Sequence, residues 1–173
     1  MHIPQLRGYG FVIDPMTEAD FEPLYAAASD PVIWAGHPAR TRHKRDVFGP
    51  YFEFLLEKEG AVTIRDIGGR VVGCSKYYEP PEVPGGIAIG YSFLTVDHWG
   101  GASNRAVKAL MLDFAFQDWD QVWFHIDPSN IRSQKATAKL GARHVDSQSL
   151  DLGNGPTMWM RLVLLKDVWN NMG

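Results

Sequence analysis

Cysteine is nearly missing from this chain: Cys74 is the single one in 173 residues. A lone thiol excludes an internal disulfide framework and a cysteine-rich zinc site. Long apolar runs are missing too, and none approaches the roughly 20 residues that a membrane span requires. Neither sign of charge dominates. Seventeen Lys and Arg stand against twenty Asp and Glu, a formal net charge of -3. The broad basic field that nucleic-acid binding needs is therefore lacking. Residues 1–7 hold no long apolar stretch ahead of small residues, so no secretory signal is expected there. The phosphate-loop spacing GxxxxGK[ST] does not occur, nor does the dinucleotide spacing GxGxxG. What is present is globular in character, with 45% hydrophobic and 21% charged residues, well away from the composition of disordered chains. The expectation is a soluble, cytoplasmic protein with no metal, nucleic-acid or membrane partner.

Glycine and proline recur at short intervals without a linker, repeat or low-complexity stretch, so residues 1–173 are expected to form one domain. Phe11-Val12-Ile13 predicts a short strand. Thr17 reads as a helix N-cap with Asp20 three residues on, and Phe21, Leu24, Tyr25 and Ala28 follow the i, i+3, i+4, i+7 rule. A second helix is predicted over 45–59, on Val47, Phe48, Tyr51, Phe52, Leu55 and Leu56. Strands follow over 61–67 and 70–78, joined by Gly68-Gly69, and a loop over 80–86 precedes a long strand over 87–96. A helix over 102–116, a strand over 122–126 and a helix over 130–140 come next. Two strands within 143–165 flank the turn Gly153-Asn154-Gly155-Pro156. The fold class is α/β (or α+β), with four helices around a mixed, largely antiparallel sheet of about seven strands.

The loop Thr95-Val96-Asp97-His98-Trp99-Gly100-Gly101-Ala102-Ser103-Asn104-Arg105 leads from the long strand into a helix. Its small residues let the backbone approach a ligand closely. The first amides of a helix have no partner inside it and point outward at its positive end, which suits a phosphate. The same residues also serve a tight turn with close helix–sheet packing, and the loop by itself leaves both readings open.

A second motif adds to this. Asn130-Ile131-Arg132-Ser133, followed by Lys139-Leu140-Gly141-Ala142, resembles the N-x-x-S/A…K-L-G-F/A segment of the GNAT superfamily of acyl-CoA-dependent N-acetyltransferases. Trp99-Gly100-Gly101-Ala102-Ser103-Asn104 is similar to that superfamily's Q/R-x-x-G-x-G/A pyrophosphate loop, and the element order matches its fold. Thr17-Glu18-Ala19-Asp20-Phe21 and Ile89-Gly90-Tyr91-Ser92-Phe93-Leu94 look most like the ribosomal-protein-alanine acetyltransferase branch.

The resemblance implies a sheet splayed between its fourth and fifth strands, here 87–96 and 122–126. The pantetheine arm of acetyl-CoA lies in that gap in the family. Phe93, Leu94, Thr95 and Val96 are then its expected neighbours. Trp99, Gly100, Gly101, Ala102, Ser103 and Asn104 would hold the pyrophosphate, with Arg105 as a charged contact. Asn130 and Ser133, one helical turn apart, would lie near the sulfur. Trp34, His37 and Tyr91 are the expected acceptor-pocket residues, although Trp34 and His37 also suit a capped, packed loop. The implied partner is an amine acceptor, a peptide N-terminus or a small molecule, and the implied assembly is a homodimer.

Two departures from the family pattern concern the proton. Many relatives carry a glutamate just before the Ile-Gly of the fourth strand, where Ala88 stands here. Many carry a tyrosine seven residues after the asparagine, where Thr137 stands. Catalysis would then rest on positioning and polarisation. Ser133 is the remaining candidate for stabilising the thiolate, or else a serine bonded back into its helix. His125 is a candidate base or a structural histidine, and Glu79 and Glu82 are carboxylates without an assigned geometry. A lysine amine has a pKa near 10.4 and an α-amine near 8, so neutralising lysine costs roughly 3 kcal/mol more at pH 7. A site without a strong base better matches the α-amine. The competing reading is a non-catalytic module that binds or senses acyl-CoA, and Ala88 and Thr137 favour it.

Overall fold

A computed structural model describes residues 1–172. In chain order the elements are β1 Leu6–Gly8, β2 Phe11–Pro15, α1 Phe21–Ala28, α2 Pro31–Trp34, α3 Arg45–Leu56, β3 Ala61–Asp66, β4 Val71–Tyr78 and β5 Ala88–Leu94. They continue with α4 Ser103–Ala115, β6 Gln121–Ile126, α5 Ile131–Ala138, β7 Arg143–Asp151, β8 Pro156–Leu165 and α6 Lys166–Asn170. The strands form one sheet in the order β1-β2-β3-β4-β5-β6-β8-β7. Every junction is antiparallel except β5 with β6. The expected mixed, largely antiparallel α/β fold is therefore present.

The described residues hold eight strands and six α-helices rather than the seven and four expected. The added strand is β1, which folds back on β2 through Tyr9 (φ 51) and Gly10 (φ 83). Two successive positive φ angles suit the twist of a two-residue hairpin, and tyrosine is an unusual residue to supply the first. The added helix α2 is a single turn with Pro31 at its start, and the Asp30 carboxylate accepts from Val32 N–H at 2.9 Å. The third addition is α6, one turn after β8. Asp20 does bond back to Thr17 N–H (3.0 Å), but it closes a short 3-10 turn ahead of α1 and also takes Thr63 Oγ1 at 3.0 Å and Arg65 Nη2 at 2.5 Å.

Helices cover both faces of the sheet. On one side α4 sends Val107, Met111 and Leu112 against Ile64, Val72, Ile89 and Phe124. On the other, α1, α2 and α3 bring Leu24, Ile33, Trp34, Phe48 and Leu55 against Cys74 and Phe93. Each fully buried side chain of this size contributes about 1.5–3 kcal/mol of hydrophobic stabilisation.

The sheet opens in its middle. Strands β5 and β6 are parallel and joined by one pair, Ala88 with Trp123, where Trp123 N–H donates to Ile87 O at 2.9 Å. Beyond that pair they diverge. A bulge in β5 contributes: between the pairs Cys74–Phe93 and Lys76–Gly90, β5 has one residue more than β4. Tyr91 takes a φ of 54 there, a left-handed conformation that costs about 1–2 kcal/mol for a side-chain-bearing residue. The surroundings hold it. Tyr51 Oη donates to Tyr91 O at 2.7 Å, and Tyr91 Oη donates to Leu152 O at 2.6 Å. Gly73 completes the fit, because a Cβ there would sit 2.0 Å from Phe93 O.

Candidate active site

A cavity of about 600 Å³ lies where β5 and β6 part. Its floor is the bulged end of β5, Gly90 to Leu94. One wall is the loop into α4, through His98, Trp99, Gly100, Asn104 and Lys108. The opposite wall is the end of β6 and the start of α5, through Phe124, His125, Ile126, Asn130, Arg132, Ser133 and Thr137. The mouth is rimmed by His37, Arg42 and the β7–β8 hairpin.

The loop is held from both sides. Trp99 Nε1 donates to Leu94 O at 2.9 Å. The Arg132 guanidinium stacks 3.7 Å above the Trp99 ring and donates to Ile33 O at 3.1 Å. Burial lowers the Arg132 pKa from its ordinary value. Gly100 turns the chain with a φ of 70. Ala106 N–H, donating to Ala102 O at 2.9 Å, is the first amide to find a carbonyl in α4. The amides of Ser103, Asn104 and Arg105 thus point out at the positive end of the helix. Asn130 Oδ1 caps α5 by accepting from Ser133 N–H at 3.2 Å. Among the described residues Ser133 Oγ makes no hydrogen bond back into α5, and Ser133 lines the cavity.

Of the residues expected from sequence, Phe93, Leu94, Trp99, Gly100, Asn104, Asn130, Ser133, His125, His37 and Tyr91 come together around the cavity. The others lie elsewhere. Thr95 and Val96 border a separate hollow of about 680 Å³ beside α1, where Arg65 is paired with Asp20 and Arg70 with Asp97. Gly101, Ala102 and Ser103 are not among the residues lining the cavity, and Ser103 Oγ bonds to His98 Nδ1 at 2.9 Å. The Arg105 guanidinium sits 5.2 Å over the Trp169 ring rather than over the loop. Trp34 is 1% exposed and donates to Ala28 O at 2.8 Å, so it packs behind the mouth instead of forming its wall. His37 Nδ1 accepts from Ala39 N–H at 2.9 Å. Burial first, then the charges of Arg42 and Arg132, push its pKa down to about 4.

Sequence reasoning missed two cavity residues, Lys108 and Tyr78, whereas it already offers Arg42 as a group that could meet an anionic acceptor. Lys108 on α4 is buried and donates from Nζ to Ser92 Oγ at 2.8 Å, and burial pushes its pKa down to about 8. Its signal is a cation beside Val107 and Met111 on an otherwise apolar stripe. Arg42 lies 3.9 Å from the Tyr51 ring centroid. Tyr78 on β4 bonds through Oη to His125 Nδ1 at 2.6 Å. The His125 side chain has no exposure of its own, and its Nε2 meets Glu82 Oε1 at 2.7 Å. Ala88 is buried at the β5–β6 junction and Thr137 is buried on α5, so neither position supplies a titrating group. Among the described residues no group of three or more His, Cys, Asp or Glu could hold a metal ion, and no helix is long and apolar enough to cross a membrane.

Comparison with known proteins places this geometry. Among solved structures, a GCN5-related N-acetyltransferase from Brucella melitensis matches with a TM-score of 0.75 at 16% identity, covering 96% of this chain and 80% of that one. Spermidine N-acetyltransferase from Vibrio cholerae, solved with CoA and spermine, matches with a TM-score of 0.68 at 12% identity, covering 95% and 100%. Ribosomal-protein-S5-alanine acetyltransferase from Vibrio fischeri matches with a TM-score of 0.65 at 16% identity, covering 96% and 99%. At such identities the likeness shows a shared fold. No curated protein matches the sequence significantly. The family model described as an acetyltransferase (GNAT) domain matches residues 11–143, well over half of the sequence. The chain therefore belongs to the GNAT acetyltransferase family and is an N-acetyltransferase of that type.

Proposed function

We propose that residues 1–173 act as one cytoplasmic N-acetyltransferase domain that moves an acetyl group from acetyl-CoA to a primary amine by direct attack. The observation that carries this reading is the single pair joining β5 to β6, beyond which the bulged end of β5 lines a cavity. Backbone groups freed from a ladder there are available to an extended, amide-bearing ligand such as pantetheine. The arm would run beside Phe93 and Leu94, with the pyrophosphate at the amides from Gly100 to Asn104 and the sulfur near Asn130 and Ser133. The Ser133 hydroxyl is then a donor to the leaving thiolate.

The acceptor follows from charge. Arg42, Arg132 and Lys108 all line the cavity, and among its lining residues Asp127 is the only carboxylate. A polyamine would bring several positive charges toward these cations. A single α-amine, on a peptide N-terminus or a small molecule, meets far less repulsion. It also loses its proton more readily than a lysine side chain.

Two measurements test this. Acetyl-CoA at about 100 times its Kd should stabilise the fold by about 2.7 kcal/mol. That raises Tm by roughly 5–10 °C for a domain of this size. Thiol release should then be faster with an α-amino peptide than with an Nα-blocked lysine peptide or spermine. No shift at millimolar acetyl-CoA overturns the reading. A shift without thiol release from any amine would make the chain a non-catalytic acyl-CoA-binding module, the reading that Ala88 and Thr137 favour.

A further inference from the structure

We propose that Tyr78, His125 and Glu82 form a proton relay that replaces the base and acid missing at Ala88 and Thr137, with Tyr78 as the group that touches the acceptor amine. This rests on the N-acetyltransferase reading above. The three residues come from β4, β6 and the loop 79–87. Tyr78 Oη lies 2.6 Å from His125 Nδ1, and His125 Nε2 lies 2.7 Å from Glu82 Oε1. His125 is sealed from solvent, whereas Tyr78 is partly exposed and lines the cavity, so the imidazole reaches a substrate only through the phenol.

Tyr78 can do this because of one missing side chain. Strand β5 lies between β4 and β6. A Cβ at Gly90 would sit 3.0 Å from Tyr78 Cε1 and 3.2 Å from its Oη. The phenol therefore crosses β5 over Gly90, next to the bulge at Tyr91, whose ring centroid is 5.2 Å from that of Tyr78. This is the end of β5 where the gap opens and where an acetyl carbonyl would be received.

The charges around the imidazole suit a relay. Glu82 faces it from the loop, and Arg161 from β8 approaches Glu82 Oε1 only at 3.5 Å. Arg161 is committed to Asp146 on β7, at 2.5 and 2.7 Å. Glu82 Oε2 is buried without a hydrogen-bond partner among the described residues. Its carboxylate thus keeps unspent charge close to His125. Burial lowers the His125 pKa despite Glu82, so the resting imidazole is neutral near pH 7, and burial raises that of Tyr78, so the phenol rests protonated.

With Glu82 ionised, His125 carries its proton on Nε2 and accepts the Tyr78 hydroxyl at Nδ1. The amine nitrogen attacks the acetyl carbonyl carbon, the N–C bond forms and the carbonyl electron pair moves to oxygen. The nitrogen gives a proton to Tyr78 Oη as the Tyr78 proton passes to Nδ1, and the imidazolium is balanced by Glu82. The oxyanion then re-forms the carbonyl and the C–S bond breaks with its pair on sulfur. The relay returns its proton through Tyr78 to the thiolate and ends neutral.

The test is kcat for Tyr78→Phe and Glu82→Gln against wild type, with amines of falling pKa, across pH 5.5 to 9, alongside the Tm shift given by acetyl-CoA. General acid–base assistance is worth at least about 100-fold, so both variants should lose about that factor with an α-amino peptide. They should keep the acetyl-CoA shift, and the loss should hold for a weakly basic amine as well, because the nitrogen sheds its proton only after the N–C bond forms. The acid limb of the wild-type profile, from protonation of His125, should move in Glu82→Gln. Wild-type kcat in Tyr78→Phe would overturn the relay alone, as would an acid limb that does not move in Glu82→Gln. Should either variant not fold, persistence of the acid limb in wild type with the weakly basic amine supports the relay, and its absence overturns it. A wild-type chain that acetylates no amine overturns the functional reading and the relay with it.

Discussion

Replacing Lys76 with methionine should uncouple helix α3 from the sheet. Lys76 is 4% exposed in the middle of β4, a place where a charge needs strong partners. Its ammonium donates to Leu55 O at 2.8 Å, Lys58 O at 3.3 Å and Phe54 O at 3.4 Å. The Phe54 and Leu55 carbonyls belong to the C-terminal turn of α3, with Lys58 just beyond it, where four carbonyls lack helical partners and the helix dipole is negative. Methionine keeps the apolar stem and removes the donors. One short hydrogen bond from a charged donor contributes about 1.5–3 kcal/mol, and the two longer ones less. Losing them leaves the buried Leu55 carbonyl without its ammonium donor, while Phe54 O keeps the Glu57 amide at 3.4 Å and methionine escapes the burial that lowers the lysine pKa. The net loss is about 2–3 kcal/mol, hence a Tm lower by roughly 4–12 °C at 2–4 °C per kcal/mol. Urea titration should give a lower midpoint with an unchanged slope, the mark of lost stability without a change in exposed surface. A Tm within about 2 °C of wild type would refute the reasoning, since water would then satisfy these carbonyls equally well.

Two further outcomes follow from the cavity. Arg132→Ala removes the cation stacked on Trp99 and should weaken acetyl-CoA binding about 10-fold by calorimetry. Arg105→Ala should change it less than about 2-fold, because that guanidinium packs on Trp169. His37 has a folded pKa of about 4 against an ordinary 6.5. Its contribution to stability is therefore complete above pH 6.5 and is lost as pH falls toward 4. The full linkage is about 3 kcal/mol, and partial exposure reduces it to roughly 1–2. Unfolding free energies at pH 7 and pH 4.5 should converge in His37→Gln by that amount.

Much of the fold was legible because burial repeats with the period of each element. Phe48, Tyr51, Phe52 and Leu55 sit at helical spacing and all are buried on α3. Val71, Val72 and Cys74 mark β4 as a strand covered on both sides. The periodicity tolerates a few exceptions, and these exceptions are what it hid. Lys76 and Lys108 occupy buried positions that their neighbours already identify as apolar, and only the local carbonyls and hydroxyls explain a cation there. The bulge at Tyr91 leaves no mark in composition, since its positive φ falls on a tyrosine rather than a glycine. The turn into α4 was visible from its small residues, but the direction of Arg105 was not. That direction depends on Trp169 reaching α4 from the far end of the chain.

The relay was beyond sequence reasoning for a related reason, and it bears on why Ala88 stands where the family resemblance implies a glutamate. Ala88 is the residue of β5 that pairs with β6, and it is fully buried against Trp123 and Val163. A carboxylate there would have to shed its hydration inside an apolar cluster, at a cost of several kcal/mol. Tyr78 and Val83 pack on the same cluster. They mark the route by which a carboxylate reaches the site from outside it, as Glu82 does from the loop 79–87. His125 is 47 positions from Tyr78 and 43 from Glu82, so no local pattern could join them. What joins them is the sheet order β4-β5-β6 and the absent side chain of Gly90. A methyl group at Gly90 would press on the Tyr78 ring at 3.0 Å. Gly90 is thus required by a neighbouring strand's side chain, with no strain of its own backbone involved.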